Sequence, residues 1–391
     1  MATTWTTSTL TDVYGMGVVS CSRPTFENTA VSAPYRDTQD ILSAPPIAVA
    51  GDTPVICSAG AIEPTLLGVL RHSGMSVGED LRPYKSESDF VDLFTQAQAH
   101  GEIIATDYPQ PDSIVAPAAT LNSASLIGYL NNKGKLGELT SIDFCADRRV
   151  IPSEAALTLP TEKSWVLKAA TDSANGGGFD VFIHRANAPI SWPEFLNFTP
   201  EVVVEDYEHF LTNWTVHLIV GVQDEPLLLG ITEQRIEHTG RFLGAHYSPE
   251  TSAPTELIYE CFNVARRAAK LGYRGFAGVD AGITPAGRLI IFDLNFRINS
   301  SSCPLLALRT CRPSALDGAA LSTRWTSERP IAEMLQLLSA PINEEYLLIS
   351  AGHDARLTDQ PSSRSMVQAW IFGDDVDQVT ARRNQCERLL L

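Results

Sequence analysis

The feature that most constrains the fold of this chain is a pair of apolar segments joined by a tight turn, GVDAGITPAGRLIIFDLNFRINSSS at residues 278–302. The turn sequence TPAG between the two segments favours a β-hairpin. Side chains two residues apart lie on the same face of a strand, so Asp293, Asn295 and Arg297 form one polar row. Taken alone, this pattern is also compatible with an ordinary amphipathic strand that has one solvated face.

The amphipathic pattern also predicts how the two strands pair. We expect Ile283 to pair with Arg288 across the hairpin. Asp280 then faces Ile291, and Asp293 is its diagonal neighbour on the same face. Two neighbouring carboxylates repel each other, and desolvating them costs several kcal/mol, which a divalent cation would offset. All-oxygen ligands suit Mg²⁺, which is commonly shared with substrate phosphates. The predicted metal ligands are Asp280, Asp293 and Asn295.

Composition limits the classes of partner. The chain has 391 residues, 44% of them hydrophobic and 19% charged, which is enough for two or three ordinary domains. Its net charge of −17 argues against nucleic acid and anionic membranes as main partners. The seven cysteines are scattered without a CxxC pair, which predicts reduced thiols in a cytoplasmic protein. The first residues have neither the basic start nor the apolar core of a signal peptide, so none is expected, and no apolar run approaches the ~20 residues of a membrane span.

The order of elements predicts a mixed α/β chain. The segment PVICSAG at 54–60 is typical of a buried strand, and the following helix ends at Gly74. With a later strand at 101–109, these elements predict a small α/β domain, although residues 1–50 are hard to assign. A helix is expected over 123–142, followed by a strand-rich region, an amphipathic helix near 254–272 and the hairpin. The last 80 residues are expected to alternate helices and strands.

Two lysines and a glycine-rich loop precede the hairpin in the sequence. Lys168 ends an apolar strand, and Asn175, Gly176, Gly177 and Gly178 follow it in a loop. Backbone N–H groups in such a loop can approach phosphate because no Cβ stands in the way. Lys133 lies in the helix and loop region before them. Each signal is weak by itself, since a lysine at a strand end is usually solvated and a triple glycine is usually a flexible turn.

In order and spacing, these segments resemble the ATP-grasp superfamily over roughly residues 120–305. The matching motifs are NK with Lys133, VLKAATDSANGGG with Lys168 and Gly176 to Gly178, VVVEDY at 202–207, and the hairpin with Asp280, Asp293, Asn295 and Arg297. The resemblance implies that Glu205 contacts the adenine amino group, with backbone contacts from Asp206 and Tyr207. Three positions depart from the family pattern: Asp293 replaces the usual Glu, Asn213 falls where a ribose-binding Glu is usual, and Phe296 replaces a proline.

The resemblance implies an ATP-grasp fold in four parts. A small N-terminal pre-ATP-grasp α/β domain would span 1–115, and a small ATP-grasp subdomain with the glycine-rich lid would span 116–200. A large subdomain with the metal site would span 201–310, and a C-terminal β/α extension would span 311–391.

The implied activity is ligation of a carboxylate to an amine, with ATP and one or two Mg²⁺ ions, or Mn²⁺ in their place. The γ-phosphate would pass to the carboxylate, and an amine would attack the resulting acyl phosphate. Arg297 and Asn299 would bind the acyl phosphate or the substrate carboxylate, because they lie just past the metal ligands.

A looser resemblance is to amino-acid and peptide ligases of natural-product pathways, such as the pheganomycin-type peptide ligase, which implies small amino-acid or peptide substrates. A thioester-forming aminoacyl–carrier-protein ligase, a biotin-carboxylase-like enzyme and a nucleotide sensor without chemistry all remain open. An unrelated acidic α/β protein and assembly as a homodimer also remain open.

Overall fold

The computed structural model describes residues 7–26, 36–174, 178–221, 225–237, 242–360, 362 and 364–391. Its N-terminal part is a parallel sheet flanked by helices. The elements are α1 Leu10–Tyr14, β1 Val18–Cys21, α2 Arg36–Asp40, β2 Val55–Ser58, α3 Pro64–His72, β3 Leu81–Tyr84, α4 Glu87–Ala99 and β4 Ile103–Thr106. The strand order is β3-β2-β1-β4, with every pair parallel. This arrangement confirms the predicted α/β character and assigns β1 to the stretch that the sequence left open.

The second part is a small antiparallel sheet. Its elements are α5 Ala124–Asn131, α6 Leu136–Leu139, β5 Arg148–Pro152, α7 Ser153–Ala156, β6 Trp165–Ala170, β7 Val181–His184 and β8 Glu201–Asp206. The strand order is β5-β8-β6-β7. The single helix predicted over 123–142 is wrong, because Asn132 adopts an extended backbone with ψ of 116° and separates α5 from the turn that precedes α6. The Asn132 side chain accepts the Gly134 N–H at 2.8 Å, so this residue both ends α5 and starts that turn.

The third part is an eight-stranded antiparallel sheet. Its elements are β9 Thr212–Val220, β10 Leu227–Ile236, β11 Phe242–Tyr247, α8 Thr255–Lys270, β12 Gly275–Ile283, β13 Leu289–Asn295, α9 Ser302–Cys311, β14 Ala319–Ser327, α10 Ile331–Leu337, α11 Ser339–Asn343, β15 Leu347–Asp354, β16 Ser365–Gly373 and α12 Val376–Leu390. The strand order is β13-β12-β9-β10-β11-β14-β16-β15. The strands of the last 80 residues therefore extend the same sheet that holds the predicted hairpin.

The apolar face of α8 covers the end of this sheet that carries the hairpin. Leu257, Cys261 and Val264 on α8 are fully buried and pack in one core with Val279 and Leu294 of the hairpin strands. The spacing of these helix residues gives one continuous apolar stripe, as the sequence predicts. The packing holds the back of the hairpin rigidly, so its other face is presented in a fixed geometry.

The β12–β13 hairpin forms as expected, but its register differs from the prediction. Ile283 pairs with Leu289 and Ala281 with Ile291, and then a β-bulge shifts the register so that Asp280 lies directly opposite Asp293. The additional residue in the bulge is Phe292. The expected pairings of Ile283 with Arg288 and of Asp280 with Ile291 are therefore wrong. The shared face of the two carboxylates is nevertheless observed, and the bulge brings them closer than a diagonal arrangement would.

Within the described residues, none of the helices is both long and apolar enough to cross a membrane.

Candidate active site

A cavity of about 590 Å³ lies between the small and the large antiparallel sheets. The large sheet lines it with polar side chains from four neighbouring strands, and the small sheet faces them across the cavity. The N-terminal part contributes Leu42 and Tyr108. All described site residues predicted from the sequence line this cavity, namely Lys133, Lys168, Gly178, Glu205, Asp206, Tyr207, Asp280, Asp293, Asn295, Arg297 and Asn299. Asn175, Gly176 and Gly177 lie outside the described residues.

The small-sheet wall carries a buried ion pair. Glu205 on β8 pairs directly with Val166 on β6, so Lys168, two residues further along β6, is its diagonal neighbour on the same face. The Lys168 Nζ lies 2.6 Å from the Glu205 Oε2, and both side chains are almost fully buried. Arg148 is the cross-strand partner of Glu205 on β5, and its Nε lies 3.8 Å from the Glu205 Oε1. Glu205 is thus already engaged by cations, and its predicted adenine contact stays a prediction.

Lys168 also links the small sheet to the large one. Its Nζ donates to the Phe292 carbonyl oxygen at 2.6 Å. Phe292 is the additional residue of the bulge in β13, so the irregularity that defeats the register prediction also supplies this acceptor. The second lysine, Lys133, crosses the cavity in the same way. Its Nζ lies 2.6 Å from the Asp293 Oδ1 and 3.2 Å from the Asp180 Oδ2.

Charges of opposite sign determine the protonation of Lys133. Burial lowers its pKa, but the charges of Asp180 and Asp293 outweigh burial and raise the pKa above its ordinary value. Lys133 is therefore a cation despite being almost fully buried. The sequence reasoning missed Asp180 and Arg148. Asp180 stands between the glycine-rich loop and the apolar strand β7, and that position is the signal that could have identified it.

The two hairpin carboxylates have different environments. Asp280 accepts from the Thr215 hydroxyl at 2.7 Å and from the Asn295 amide at 3.0 Å. Burial and the charge of Asp293 raise the pKa of Asp280. Burial also acts to raise the pKa of Asp293, but Lys133 and Lys168 outweigh it and lower that pKa. In the part of the chain that the structure describes, no ion pair of 4.0 Å or less reaches Asp280, and no group of three or more His, Cys, Asp or Glu residues forms a metal cluster.

Arg297 and Asn299 lie at the end of the cavity where the hairpin leads into α9. The Arg297 Nη1 donates to the Asn131 Oδ1 at 3.1 Å, and its guanidinium carbon lies 5.6 Å from the ring centroid of Tyr108. Asn299 uses its side-chain oxygen to accept the backbone N–H groups of Ser301 and Ser302 at 3.0 and 3.2 Å. The start of α9 is therefore tied to Asn299, whose predicted catalytic role stays a prediction.

A neutral histidine completes this end of the cavity. The His217 Nε2 lies 2.9 Å from the Thr232 hydroxyl, and its Nδ1 lies 3.3 Å from the Asn299 amide nitrogen. Burial lowers the pKa of His217 to about 3, so the ring is uncharged near neutral pH. An acceptor Nδ1 facing Asn299 and a donor Nε2 facing Thr232 satisfy both neighbours. His217 was also missed, because nothing in the strand sequence NWTVHLIVG marks that residue as facing a cavity.

Aromatic residues line the opposite end, near the end of β8. The guanidinium carbon of Arg185 lies 3.7 Å from the ring centroid of Tyr207. Phe210 stacks on Phe292, with ring centroids 5.3 Å apart. Asn213 lines the cavity beside them, and its buried Oδ1 has no hydrogen-bond partner among the described residues. Flat apolar rings and an unpaired polar atom at one end suit a planar base attached to a hydroxylated sugar.

Comparisons with known families and structures agree with this geometry. One family model, described as the L-aspartate–L-methionine ligase N-terminal domain, matches residues 9–128. A second, described as L-aspartate–L-methionine ligase, ATP grasp, matches residues 148–295. Together the two matches cover more than half of the chain. The first match falls on the parallel sheet, and the second covers the small sheet and the hairpin.

Solved structures show the same fold. An N5-carboxyaminoimidazole ribonucleotide synthetase in complex with ADP has a TM-score of 0.60 at 12% identity, over 98% of both chains. The N5-carboxyaminoimidazole synthetase of Staphylococcus aureus, also with ADP, has a TM-score of 0.60 at 12% identity, over 94% of this chain and 96% of that one. A biotin carboxylase of Campylobacter jejuni has a TM-score of 0.57 at 11% identity, over 96% and 91% of the two chains.

At such low identity, these likenesses show the fold alone. They confirm the predicted ATP-grasp fold. The two family models carry the conclusion further, because both describe parts of one kind of ligase. The chain belongs to the ATP-grasp ligases, enzymes that use ATP to form a carbon–nitrogen bond.

Proposed function

We propose that this protein joins two amino acids, activating the carboxylate of one as an acyl phosphate and releasing ADP and phosphate. L-aspartate and L-methionine, the substrates named by the family models, are the first pair to test. The observation that supports this most directly is the pairing of Asp280 with Asp293 across the cavity from two buried lysines. That arrangement suits a triphosphate, because it offers cations on one side and carboxylates for a metal ion on the other.

The hairpin residues fit a divalent cation. Asp280 is buried and has a raised pKa, and among the described residues its carboxylate contacts neutral donors rather than a cation. The set of Asp280, Asp293 and Asn295 offers two carboxylates and an amide oxygen, the hard ligands that Mg²⁺ prefers. When bound, the ion would neutralise phosphate oxygens and stabilise charge that develops during transfer.

The lysines would bind the phosphates by exchanging partners. Lys168 is held by Glu205 and by the Phe292 carbonyl, and Lys133 by Asp293 and Asp180. Each ammonium is thereby fixed in the cavity before any ligand arrives. A phosphate oxygen of ATP would replace one of these contacts with another charge-assisted hydrogen bond. The lysines are therefore oriented in advance, which lowers the reorganisation cost of binding ATP.

Arg297 would bind the reacting carboxylate. It is 8% exposed and lies two residues beyond Asn295 at the end of the cavity. A carboxylate oxygen held there would attack the γ-phosphorus of ATP, the bond to the ADP oxygen would break, and ADP would leave. The unprotonated amine of the second amino acid would then attack the acyl carbon. The new carbon–nitrogen bond would replace the bond to the phosphate oxygen, and the departing phosphate would take the proton that the nitrogen loses. Closing the cavity would exclude water, which would otherwise hydrolyse the acyl phosphate.

The test is ATP turnover by the purified protein with Mg²⁺ and a panel of amino acids, singly and in pairs. We expect ADP rather than AMP, and a dipeptide detected by mass spectrometry when both substrates are present. Release of AMP would contradict the acyl-phosphate route. ATP turnover that no amino acid stimulates would contradict the substrate class.

A further inference from the structure

The N-terminal sheet meets the cavity at the end of β4. Its chain runs from β1 outward through β2 and β3, and then returns so that β4 lies on the other side of β1. Ligands of open parallel sheets bind at the carboxyl ends of the strands where the order reverses in this way. Asp107 and Tyr108 follow β4 directly at that position, and Tyr108 lines the cavity. Neither Asp107 nor Tyr108 has a part in the binding of ATP that is proposed above.

Asp107 has an unused oxygen at this position. Its side chain is 7% exposed, and its Oδ2 has no hydrogen-bond partner among the described residues. The carboxyl group lies near the backbone N–H of Ile298, the residue that follows Arg297. Burial raises the pKa of Asp107 to about 6, against the lowering effects of Ser22, of that N–H group and of the Arg297 charge. A buried acceptor without a donor is destabilising, and such groups are rare unless a ligand or water completes them.

Arg297 stands next to Asp107 without an ion pair between them. The charges of Asp107, Asp180 and Asp293 all act on the guanidinium. Nevertheless, over the described ranges no carboxylate lies within 4.0 Å of it, and its hydrogen bond at 3.1 Å is to the neutral Asn131. Two buried charges of opposite sign that do not touch lose solvation without gaining a contact. A ligand with both a positive and a negative group would satisfy both side chains.

We propose that Asp107 and Arg297 form a subsite for the zwitterion of a free α-amino acid. Asp107 accepts from the α-ammonium group, and Arg297 binds the carboxylate that is activated. This inference rests on the proposed function, and it adds that the carboxylate substrate must carry a free α-amino group. N-acylated amino acids, and carboxylic acids with hydrogen in place of the amino group, are then excluded as carboxylate donors.

The first test uses the wild-type protein and needs no variant. ADP release is measured with the donor amino acid found in the screen, for example L-aspartate, and with its N-acetyl and amino-free analogues, here N-acetyl-L-aspartate and succinate. A site built to bond an amino group rejects analogues without it strongly, so we expect kcat/KM to fall at least about a hundredfold for both. Equal turnover of all three would overturn the subsite and leave the proposed function intact. No turnover with any amino acid would instead overturn the proposed function.

The second test asks whether Asp107 is the residue that selects substrates with a free amino group. Asp107→Asn keeps the shape of the side chain but removes its charge, and Asp112→Asn changes an exposed carboxylate of the same loop as a control. We expect Asp107→Asn to lower kcat/KM for the amino acid by about a hundredfold and to bring the ratio between amino acid and amino-free analogue close to one. Affinity for a non-hydrolysable ATP analogue should change less than threefold. A variant that retains the wild-type ratio would overturn the assignment.

Discussion

The two walls of the cavity balance their charges differently. On the small sheet, Lys168 and Glu205 form a buried ion pair at 2.6 Å. On the large sheet, Asp293 takes Lys133 as its partner, while Asp280 accepts from neutral groups, the hydroxyl of Thr215 and the amide of Asn295. On the small-sheet wall, Glu205 is therefore compensated by Lys168 and Arg148, whereas on the hairpin wall no cation among the described residues contacts Asp280.

The difference teaches which wall depends on a ligand. In a buried ion pair with good geometry, each charge already has its partner in the free protein. A buried carboxylate without a cationic partner has a raised pKa and is stabilised when a cation binds. Carboxylates with a perturbed pKa of this kind are common at functional sites, because they lower the stability of the free protein and are retained there for function. Substitution of Asp280 should therefore impair activity more than folding, and loss of the Glu205 charge should lower the stability of the free protein.

The largest effect is expected for Asp293→Asn. The change removes one of the two facing carboxylates and one partner of Lys133, so both the proposed metal site and the lysine lose their orientation. We expect turnover to fall by about 10²–10³, the usual scale for losing one electrostatic group of this kind, with the fold intact by circular dichroism. ADP release is measured over a range of Mg²⁺ concentrations. Asp92→Asn, on the exposed side of α4, is the control. Normal turnover at low Mg²⁺ would refute the metal assignment.

A somewhat smaller effect is expected for Arg297→Ala. Because Lys133 and Lys168 remain, affinity for a non-hydrolysable ATP analogue should stay within a few-fold of wild type by calorimetry. Product yield by mass spectrometry should fall by about two orders of magnitude, or ~2.7 kcal/mol. Arg149→Ala changes an exposed arginine on β5 and should affect neither quantity. If ATP binding is lost instead, Arg297 is a ligand of the nucleotide. Unchanged product would leave it a structural residue at the strand end.

Alternation along β13 was enough to predict one part of this site. Asp293, Asn295 and Arg297 all line the cavity, because a period of two places them on one face. The register failed at Phe292, since a bulge adds one residue without any change in the apolar pattern. The break at Asn132 was missed for a related reason: the flanking apolar residues continue a helical period, and only the capping geometry ends the helix.

Residues supplied by distant elements could not be predicted in this way. Asp107 and Tyr108 belong to the N-terminal sheet, and His217 lies on an otherwise apolar strand. The proximity of the first two to Arg297, and of His217 to Asn299, depends on how the sheets pack, which no local pattern records. Similarly, the sequence predicts strands in the last 80 residues but not that β14, β15 and β16 extend the hairpin sheet. The division of the chain into four domains stays a prediction.

Opposite effects on stability should distinguish the two walls. Glu205→Gln removes the negative charge that pairs with the buried Lys168 and with Arg148, so we expect a loss of about 1–3 kcal/mol in the free energy of unfolding. Asp280→Asn removes an uncompensated charge, so the free protein should be as stable as wild type or more so. Both are measured by urea denaturation without nucleotide. Destabilisation by Asp280→Asn equal to that by Glu205→Gln would mean that the walls do not differ.

The smallest effect concerns the neutral residue of the large-sheet wall, His217. Its pKa is about 3 in the folded protein, against an ordinary value near 6.5, so between these values the unfolded chain binds more protons than the folded one. Stability from this group is therefore complete above pH 6.5 and is lost as the pH falls toward 3, by at most about 1.4 kcal/mol per pH unit. His217→Gln replaces the imidazole ring with an amide, which can still form hydrogen bonds but does not titrate. We expect its free energy of unfolding to decline less than that of wild type between pH 7 and pH 4.5. The exposed His72, changed to Gln, should leave the wild-type slope unaltered. If wild type and His217→Gln lose stability in parallel, His217 is protonated in the folded state. The large-sheet wall then holds an imidazolium cation beside Asn299 and Thr232.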